Sequence, residues 1–385
     1  MQLLNSDIKN KVLDSMMQII ESRKDEILEA NKKDLKAFNR DDQALYDRLV
    51  VNDAKISGMI QAIKEVRDQE DPVSQEISNT TLESGLKIIN KTAPFGTIMI
   101  IYESRPDVTI EAAVLAFKAN NKILLKGGKE AYHSNVVLVD CWKQALREND
   151  LDESWITMLQ MNREETQAFL KNPDQPLDLI VPRGGERLIG FVKEHAKCAV
   201  LVSGRGNNFL YVHPKADWAK TIEVIINAKT DKISGCNALD KVLVDKNIAD
   251  YESKIKELDE ILKAKGVEVL ADEASKEVLS NNAVIPNEDT WYEEFLAMKI
   301  VLGAVDSMDE AMEKINTYSG GHSSAIMTTD QEAATTFMEN IDTAAVYHNA
   351  STRFTDGGQM GVGAELAIST DKLHHRGPLG LKQLV

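Results

Sequence analysis

From Pro94 onward the chain repeats one local pattern, and that pattern limits the folds open to it. A short aliphatic run is followed by a turn and then by an amphipathic run. Thr97-Ile98-Met99-Ile100-Ile101, Lys122-Ile123-Leu124-Leu125 and Leu177-Asp178-Leu179-Ile180-Val181 read as strands, as do 199–202 and 209–212. Residues 108–118, the stretch from Gly128 towards Leu146 and the stretch from Gly185 through Val192 read as helices. Strands alternating with helices predict a parallel sheet covered on both faces. The same style returns after Cys236. There 241–244, 267–270, 298–305 and 324–328 read as strands and 250–265 and 308–317 as helices, which predicts a second α/β domain.

Ahead of this region the chain reads as helix. Ile8, Val12, Leu13, Met16, Ile19, Ile20, Ile27 and Leu28 recur at intervals of three and four residues, the spacing of one helix face. Asp71-Pro72 ends that region, and the weak alternation over 80–92 predicts a pair of strands. At 385 residues the chain is long enough for more than one core.

Charge narrows the partners. The formal net charge is -16, which argues against nucleic acid and membrane as main partners. No apolar run approaches the ~20 residues that span a bilayer, and charges at Asp7 and Lys9 interrupt the start, so a cytoplasmic protein is expected. Between Ala112 and Lys129 there is no acidic residue, yet Lys118, Lys122, Lys126 and Lys129 fall there. This local excess is a candidate anion site, with an ordinary solvated face as the plain alternative. Three cysteines without regular spacing fit a reducing compartment, and no Cys/His cluster has zinc-ligand spacing.

Two turns share one design of strand, paired glycines and helix: Leu125-Lys126-Gly127-Gly128-Lys129-Glu130 and Val181-Pro182-Arg183-Gly184-Gly185-Glu186. Glycine lets backbone approach a ligand closely, and each following helix is expected to offer N–H groups and its positive dipole end to phosphate. Ser203-Gly204-Arg205-Gly206 also contains G-x-G after a strand, but the following Phe209-Leu210-Tyr211-Val212 is itself strand-like, so it reads as a turn between strands. Cys141 and Cys198 sit in apolar contexts. Cys236 follows Ser234-Gly235 and opens Asn237-Ala238-Leu239, and a short helix starting there would favour its thiolate and hold a developing oxyanion.

Pro94-Phe95-Gly96-Thr97-Ile98-Met99-Ile100-Ile101-Tyr102-Glu103-Ser104-Arg105-Pro106 resembles a signature of the γ-glutamyl phosphate reductase family, within the aldehyde dehydrogenase superfamily. The segments at 126–135 and 182–185, Gly235-Cys236-Asn237-Ala238, the segment from Asn349-Ala350-Ser351-Thr352-Arg353 to Gly358, and 374–381 resemble further motifs of that family in its order. The resemblance covers nearly the whole chain. It implies an aldehyde dehydrogenase-like fold: a cofactor-binding domain over 1–77 and 96–231, a catalytic domain over 232–357, and an oligomerisation hairpin with a C-terminal segment over 78–95 and 358–385.

The resemblance further implies a reaction and roles. NADPH would reduce L-glutamyl 5-phosphate to L-glutamate 5-semialdehyde through a cysteine thioester, in proline biosynthesis. Cys236 would be the nucleophile, Ser104 would occupy the place of the superfamily's oxyanion-binding asparagine, and Asn237 would join them as a catalytic residue. Lys126 and Glu130 would lie on the adenosine side of the cofactor, with Gly127 and Gly128 also binding it, Gly184 and Gly185 near its pyrophosphate, and Glu294 (or Glu293) at the nicotinamide ribose. Arg105, Arg183, Ser351, Thr352 and Arg353 would hold substrate carboxylate or phosphate, since arginine suits both geometrically. The resemblance also implies a homo-oligomer and allows a transient contact with glutamate 5-kinase. Hydrolytic aldehyde dehydrogenases carry a general-base glutamate where this chain has Val202, which favours phosphate over water as the thioester's partner. The other departures are Lys126 for a frequent arginine, Gly235 for a common valine and Gln359-Met360 for Glu-Phe. The alternative enzyme reading is an NAD-dependent aldehyde dehydrogenase oxidising a small aldehyde.

Overall fold

The computed structural model describes residues 2–39 and 43–385. The chain divides into two compact units: Met1–Val202 with Gly361–Ala367 and Pro378–Val385, and Ser203–Met360 with Ile368–Gly377.

The first unit opens with helices α1 (Ser6–Ser22), α2 (Lys24–Ala37), α3 (Gln43–Leu49) and α4 (Asp53–Asp68). Asn5 caps α1 by accepting the Ile8 N–H at 2.9 Å, and the expected face of Val12, Leu13, Met16, Ile19 and Ile20 is buried. Strands β1 (Glu76–Thr81) and β2 (Lys87–Lys91) form the expected pair, which is antiparallel and begins before Thr80. Its residues are exposed throughout. Then come β3 (Thr97–Tyr102), α5 (Pro106–Lys118), β4 (Lys122–Lys126), α6 (Tyr132–Glu148), β5 (Ile156–Met158), α7 (Arg163–Lys171), β6 (Leu179–Arg183), α8 (Glu186–His195) and β7 (Ala199–Val200).

These strands form one parallel sheet in the order β5-β4-β3-β6-β7. The two-residue period of a strand gives the sheet two apolar faces. Ile98, Ile100, Ile123, Leu125, Leu179 and Val181 join the core with α1, α4, α5 and α6. Met99, Ile101, Leu124 and Ile180 pack instead with Phe169, Leu170 and Val192 from α7 and α8. Each such side chain contributes roughly 1.5–3 kcal/mol on burial, so the sheet is held from both sides. The order reverses at β3, and the loops after β3, β4 and β6 therefore share one edge.

The second unit holds β8 (Asn208–Val212), α9 (Trp218–Thr230), β9 (Leu239–Asp245), α10 (Tyr251–Ala264), β10 (Glu268–Ala271), β11 (Ala283–Val284), β12 (Lys299–Val305), α11 (Met308–Tyr318), β13 (Ser323–Met327), α12 (Gln331–Asn340) and β14 (Ala345–His348). They build a seven-stranded parallel sheet in the order β11-β10-β12-β9-β8-β13-β14. The compact units part at Val202/Ser203, whereas the expected boundary was at 231/232. The reason is β8, which pairs with both β9 and β13 and so carries 203–231 into the second unit.

The basic excess over 112–129 does not form a patch. Lys118 is fully buried and donates to Asn10 Oδ1 and the Arg67 carbonyl. Lys122 starts β4 and donates to Ser154 Oγ, while Lys126 ends the same strand, about 13 Å along it. Among the described residues no helix is long and apolar enough to cross a membrane.

Candidate active site

In the first unit the ends of β3, β4 and β6 form a backbone-lined cradle. Glu103-Ser104-Arg105 leaves β3, Gly127-Gly128 leaves β4 and Gly184-Gly185 leaves β6. A Cβ on Gly128 would collide with the Glu130 carboxylate and lie 3.4 Å from the Ser104 nitrogen. One on Gly184 would lie 2.9 Å from Leu188 Cδ2 and 3.0 Å from Glu103 Oε1. One on Gly127 would collide with Asn135 Nδ2. Gly185 differs, since a Cβ there would meet nothing within 4 Å, so it faces open space.

The two helices behind these turns are not equivalent. Gly185 is the N-cap of α8, and among the described residues no side chain caps that end. The start of α6 is already occupied. Asp34 accepts the His133 N–H at 3.0 Å, and the Ser134 N–H at 2.8 Å and hydroxyl at 2.6 Å. The expectation of two phosphate-ready helix ends is thus corrected to one, because a carboxylate already fills the other.

The side chains around the cradle are charged and partly buried. Lys126 Nζ donates to the Gly127 carbonyl at 2.9 Å, and burial lowers its pKa against the pull of Glu130. Ser104 is 2% exposed. Arg105 Nη2 lies 3.3 Å from Asp107 Oδ2. Burial pushes the Asp107 carboxyl up, but Arg105, Lys55 and Arg183 outweigh it and hold it below the usual range. Arg105 and Arg183 therefore share a carboxylate, and their field is partly neutralised there.

In the second unit Cys236 sits in a pair of turns before β9, closed by Gly235 N–H to the Lys232 carbonyl (3.1 Å) and Ala238 N–H to the Gly235 carbonyl (3.0 Å). The expected short helix at Cys236 is absent, because Leu239 already enters β9 and leaves too few residues for one. Asn208 Nδ2 donates to the carbonyls of Cys236 (2.8 Å) and Ala238 (2.7 Å). A Cβ on Gly206 would collide with the Cys236 carbonyl. The G-x-G turn lies between strands as expected, and its second glycine makes room for the cysteine turn.

The 351–355 segment is stapled to the same turn. Asn237 Nδ2 donates to the carbonyls of Arg353 and Thr355, each at 3.0 Å, and Thr352 Oγ1 donates to the Asn237 carbonyl at 2.8 Å. The Ser351 hydroxyl accepts the Arg353 N–H at 3.2 Å. Ser351 and Thr352 are buried, so their hydroxyls hold the turn together. Arg353 Nε pairs with Asp231 Oδ2 at 3.1 Å, and a Cβ on Gly235 would stand 2.8 Å from Arg353 Nη1. Arg353, Asp231, Asn227, Phe354, Asp356 and Gln359 line a cavity of about 220 Å³. Among the described residues, no hydrogen bond uses the Asn237 N–H. Glu294 is half-buried and follows a short turn of helix over Glu288–Trp291, while Glu293 is exposed.

The sequence profile of the aldehyde dehydrogenase family matches residues 4–276 and 252–365. A gamma-glutamyl phosphate reductase from Persephonella marina is 41% identical over 390 residues, covering 99% of this chain and 87% of its own. One from Thermotoga maritima is 42% identical over 379 residues, covering 98% and 90%. The chain belongs to the γ-glutamyl phosphate reductase family. The crystal structure of the Thermotoga maritima reductase matches with a TM-score of 0.93, covering 99% of this chain and 92% of that one. An acetylating aldehyde dehydrogenase from Geobacillus thermoglucosidasius shares the fold at a TM-score of 0.68 and 17% identity.

For a γ-glutamyl phosphate reductase, the expected site residues fall into two groups here. Ser104, Arg105, Lys126, Gly127, Gly128, Glu130, Arg183, Gly184 and Gly185 stand at one sheet edge of the first unit. Cys236, Asn237, Ser351, Thr352 and Arg353 meet in the second, which also carries Glu294. Asp34, Gly206, Asn208 and Asp231 support these groups and were not singled out from sequence. The signal for Gly206 and Asn208 was present in the G-x-G-N-N run, which was weighed only as a nucleotide motif.

Proposed function

We propose that this chain reduces L-glutamyl 5-phosphate to L-glutamate 5-semialdehyde with NADPH, releasing phosphate, as a cytoplasmic step of proline biosynthesis. The observation that carries the reading is the seating of Arg353 against Gly235, the residue before Cys236, on a cavity that also holds Asp231 and Asp356. A guanidinium there suits the phosphate or α-carboxylate of the substrate, and the two carboxylates suit its α-ammonium.

In this reading the Cys236 thiolate attacks the acyl carbon. A carbon–sulfur bond forms, the bond to the phosphate oxygen breaks, and the leaving phosphate takes both electrons. The Asn237 N–H donates to the oxyanion that develops during attack, because no protein acceptor competes for it among the described residues. Val202 is apolar and offers no base to activate water where hydrolytic aldehyde dehydrogenases carry a glutamate.

The residues fit a dinucleotide. Gly185 faces open space at the start of α8, and that helix N-terminus suits a pyrophosphate. Gly184, Gly185 and α8 would hold the pyrophosphate, Lys126 and Glu130 the adenosine end, and Glu294 the nicotinamide ribose. When bound, NADPH supplies the hydride that brings the thioester to the aldehyde level. The β1–β2 hairpin exposes Ile77, Leu82, Leu86, Ile88 and Ile89, and it pairs with a second copy to make a homo-oligomer.

The deciding experiment assays the reverse direction. Oxidation of glutamate 5-semialdehyde with NADP⁺ should require inorganic phosphate, and simple aldehydes should be poor substrates. Phosphate-independent oxidation of simple aldehydes would support an ordinary aldehyde dehydrogenase instead.

A further inference from the structure

The segment that carries Glu294 is held by groups with no part in the reading above. Asn207 Nδ2 donates to the Trp291 carbonyl at 2.6 Å and Arg205 Nη1 to the Tyr292 carbonyl at 2.9 Å. Lys241 Nζ donates to the Glu293 carbonyl, and the Phe295 N–H donates to Asp240 Oδ2 at 3.0 Å. Glu294 thus lies between two fixed points, both supplied by adjacent residues at the start of β9.

Lys241 is the unusual member. Its side chain is fully buried and forms no ion pair among the described residues, because the neighbouring Asp240 carboxylate is taken by Lys229 at 2.9 Å. The ammonium is met by Asn207 Oδ1 at 2.8 Å, by the Glu293 carbonyl and by the face of the Phe295 ring at 4.0 Å. Three acceptors match the three N–H bonds of an ammonium. A buried cation without a direct ion pair is a poor route to stability, since an apolar side chain of the same length avoids its desolvation. Its contacts with Glu293 and Phe295, on either side of Glu294, call for another account.

We propose that Lys241 is a positioning residue for Glu294: its ammonium holds the Glu293 carbonyl and so fixes the next side chain for the ribose of the nicotinamide cofactor. The proposal rests on the reading of Glu294 as a ribose ligand. The charged groups that face Lys241 are Asp240, Lys229, Glu293 and Glu294. Burial pushes the Lys241 ammonium down to about 8, with the three carboxylates opposing and Lys229 assisting. A neutral amine has two N–H bonds and a lone pair for the same three acceptors, so one contact turns repulsive. Cofactor affinity is therefore expected to fall as pH rises through about 8.

The test is NADPH binding followed by nucleotide fluorescence from about pH 7 to about pH 9.5, together with amide exchange at 293–296 in the cofactor-free protein. In the unaltered protein the dissociation constant should rise about ten-fold across pH 8. Lys241→Met should bind about ten-fold more weakly at neutral pH, without that step. Glu294→Gln should bind weakly throughout. If Glu294→Gln binds as the unaltered protein does, the ribose reading fails. If it binds weakly while Lys241→Met keeps full affinity and the pH step, the positioning role fails and the ribose reading stands. Should Lys241→Met not fold, the unaltered protein still decides. Its 293–296 amides should lose protection above pH 8 beyond the intrinsic acceleration of exchange, and unchanged protection overturns the proposal.

Discussion

The cradle of the first unit and the cysteine turn of the second are built on opposite principles. The cradle is backbone: Gly127, Gly128 and Gly184 let neighbouring groups pack where a Cβ would collide, Gly185 faces open space, and the N-terminus of α8 supplies N–H groups. The cysteine turn is side chain. Asn208, Asn237, Thr352, Arg353 and Asp231 converge from distant segments, Asp231 and Arg353 alone being 122 residues apart. A backbone site needs empty volume and is damaged by adding atoms, whereas a side-chain site is damaged by removing them. Substitutions of each kind can break or sharpen that contrast.

The largest effect should come from Cys236→Ala, which should lower turnover by about 10³-fold or more while NADPH still binds. Substantial residual turnover would remove the thiol from the reaction. Arg353→Ala should come next. It strips the guanidinium from the cavity and should lower kcat/KM for the acyl phosphate by about 10²-fold, mostly through KM, with partial recovery in Arg353→Lys. An unchanged KM would assign Arg353 to scaffolding through Asp231 alone. Gly185→Ala is the clean test of the cradle. Gly185 has φ -64 and open space around its Cβ position, so the variant should fold with an unchanged Tm. The added methyl should nonetheless weaken NADPH binding by roughly five- to ten-fold, read by fluorescence titration. A variant with full affinity would move the pyrophosphate elsewhere.

The smallest effect concerns stability and pH. The Lys241 ammonium titrates near 8 when folded, below its ordinary 10.5. Below about pH 8 both states hold the proton, and the folded state carries the full penalty. Between about 8 and 10.5 the unfolded chain binds more protons, so stability rises with pH. The gap corresponds to a gain on the order of 3 kcal/mol at most. Chemical denaturation at neutral and alkaline pH should show this rise in the unaltered protein and a smaller one in Lys241→Met, since the buried Lys9, Lys118 and Lys229 and the half-buried Lys126 are lowered as well.

Much of this was legible in the sequence, for physical reasons. Parallel strands buried on both faces leave apolar runs such as 97–101, and an amphipathic helix leaves the spacing of Val12, Leu13 and Met16. The glycine pairs and the Cys236 motif were legible because a close backbone approach restricts residue choice locally. What failed was whatever depends on distant partners. Asp34 closes the α6 N-terminus from 99 residues away. The lysines of 118–129 looked clustered along the chain but separate once β4 is extended, with Lys118 buried against Asn10. Helix α9 escaped notice because Ile222, Val224, Ile225 and Ile226 are β-branched, and it is the burial of Thr221, Ile225, Ala228 and Lys229 that makes them helical.

The most direct test leaves phosphate out. Glutamate 5-semialdehyde and NADP⁺ are mixed with the protein, quenched in acid and digested, and the peptides are read by mass spectrometry. One glutamyl acyl group should accumulate on the peptide containing Cys236, vanish when phosphate is added, and never form in Cys236→Ala. An NADPH burst with no acyl group on Cys236, or with the group on Cys141 or Cys198, would contradict the account.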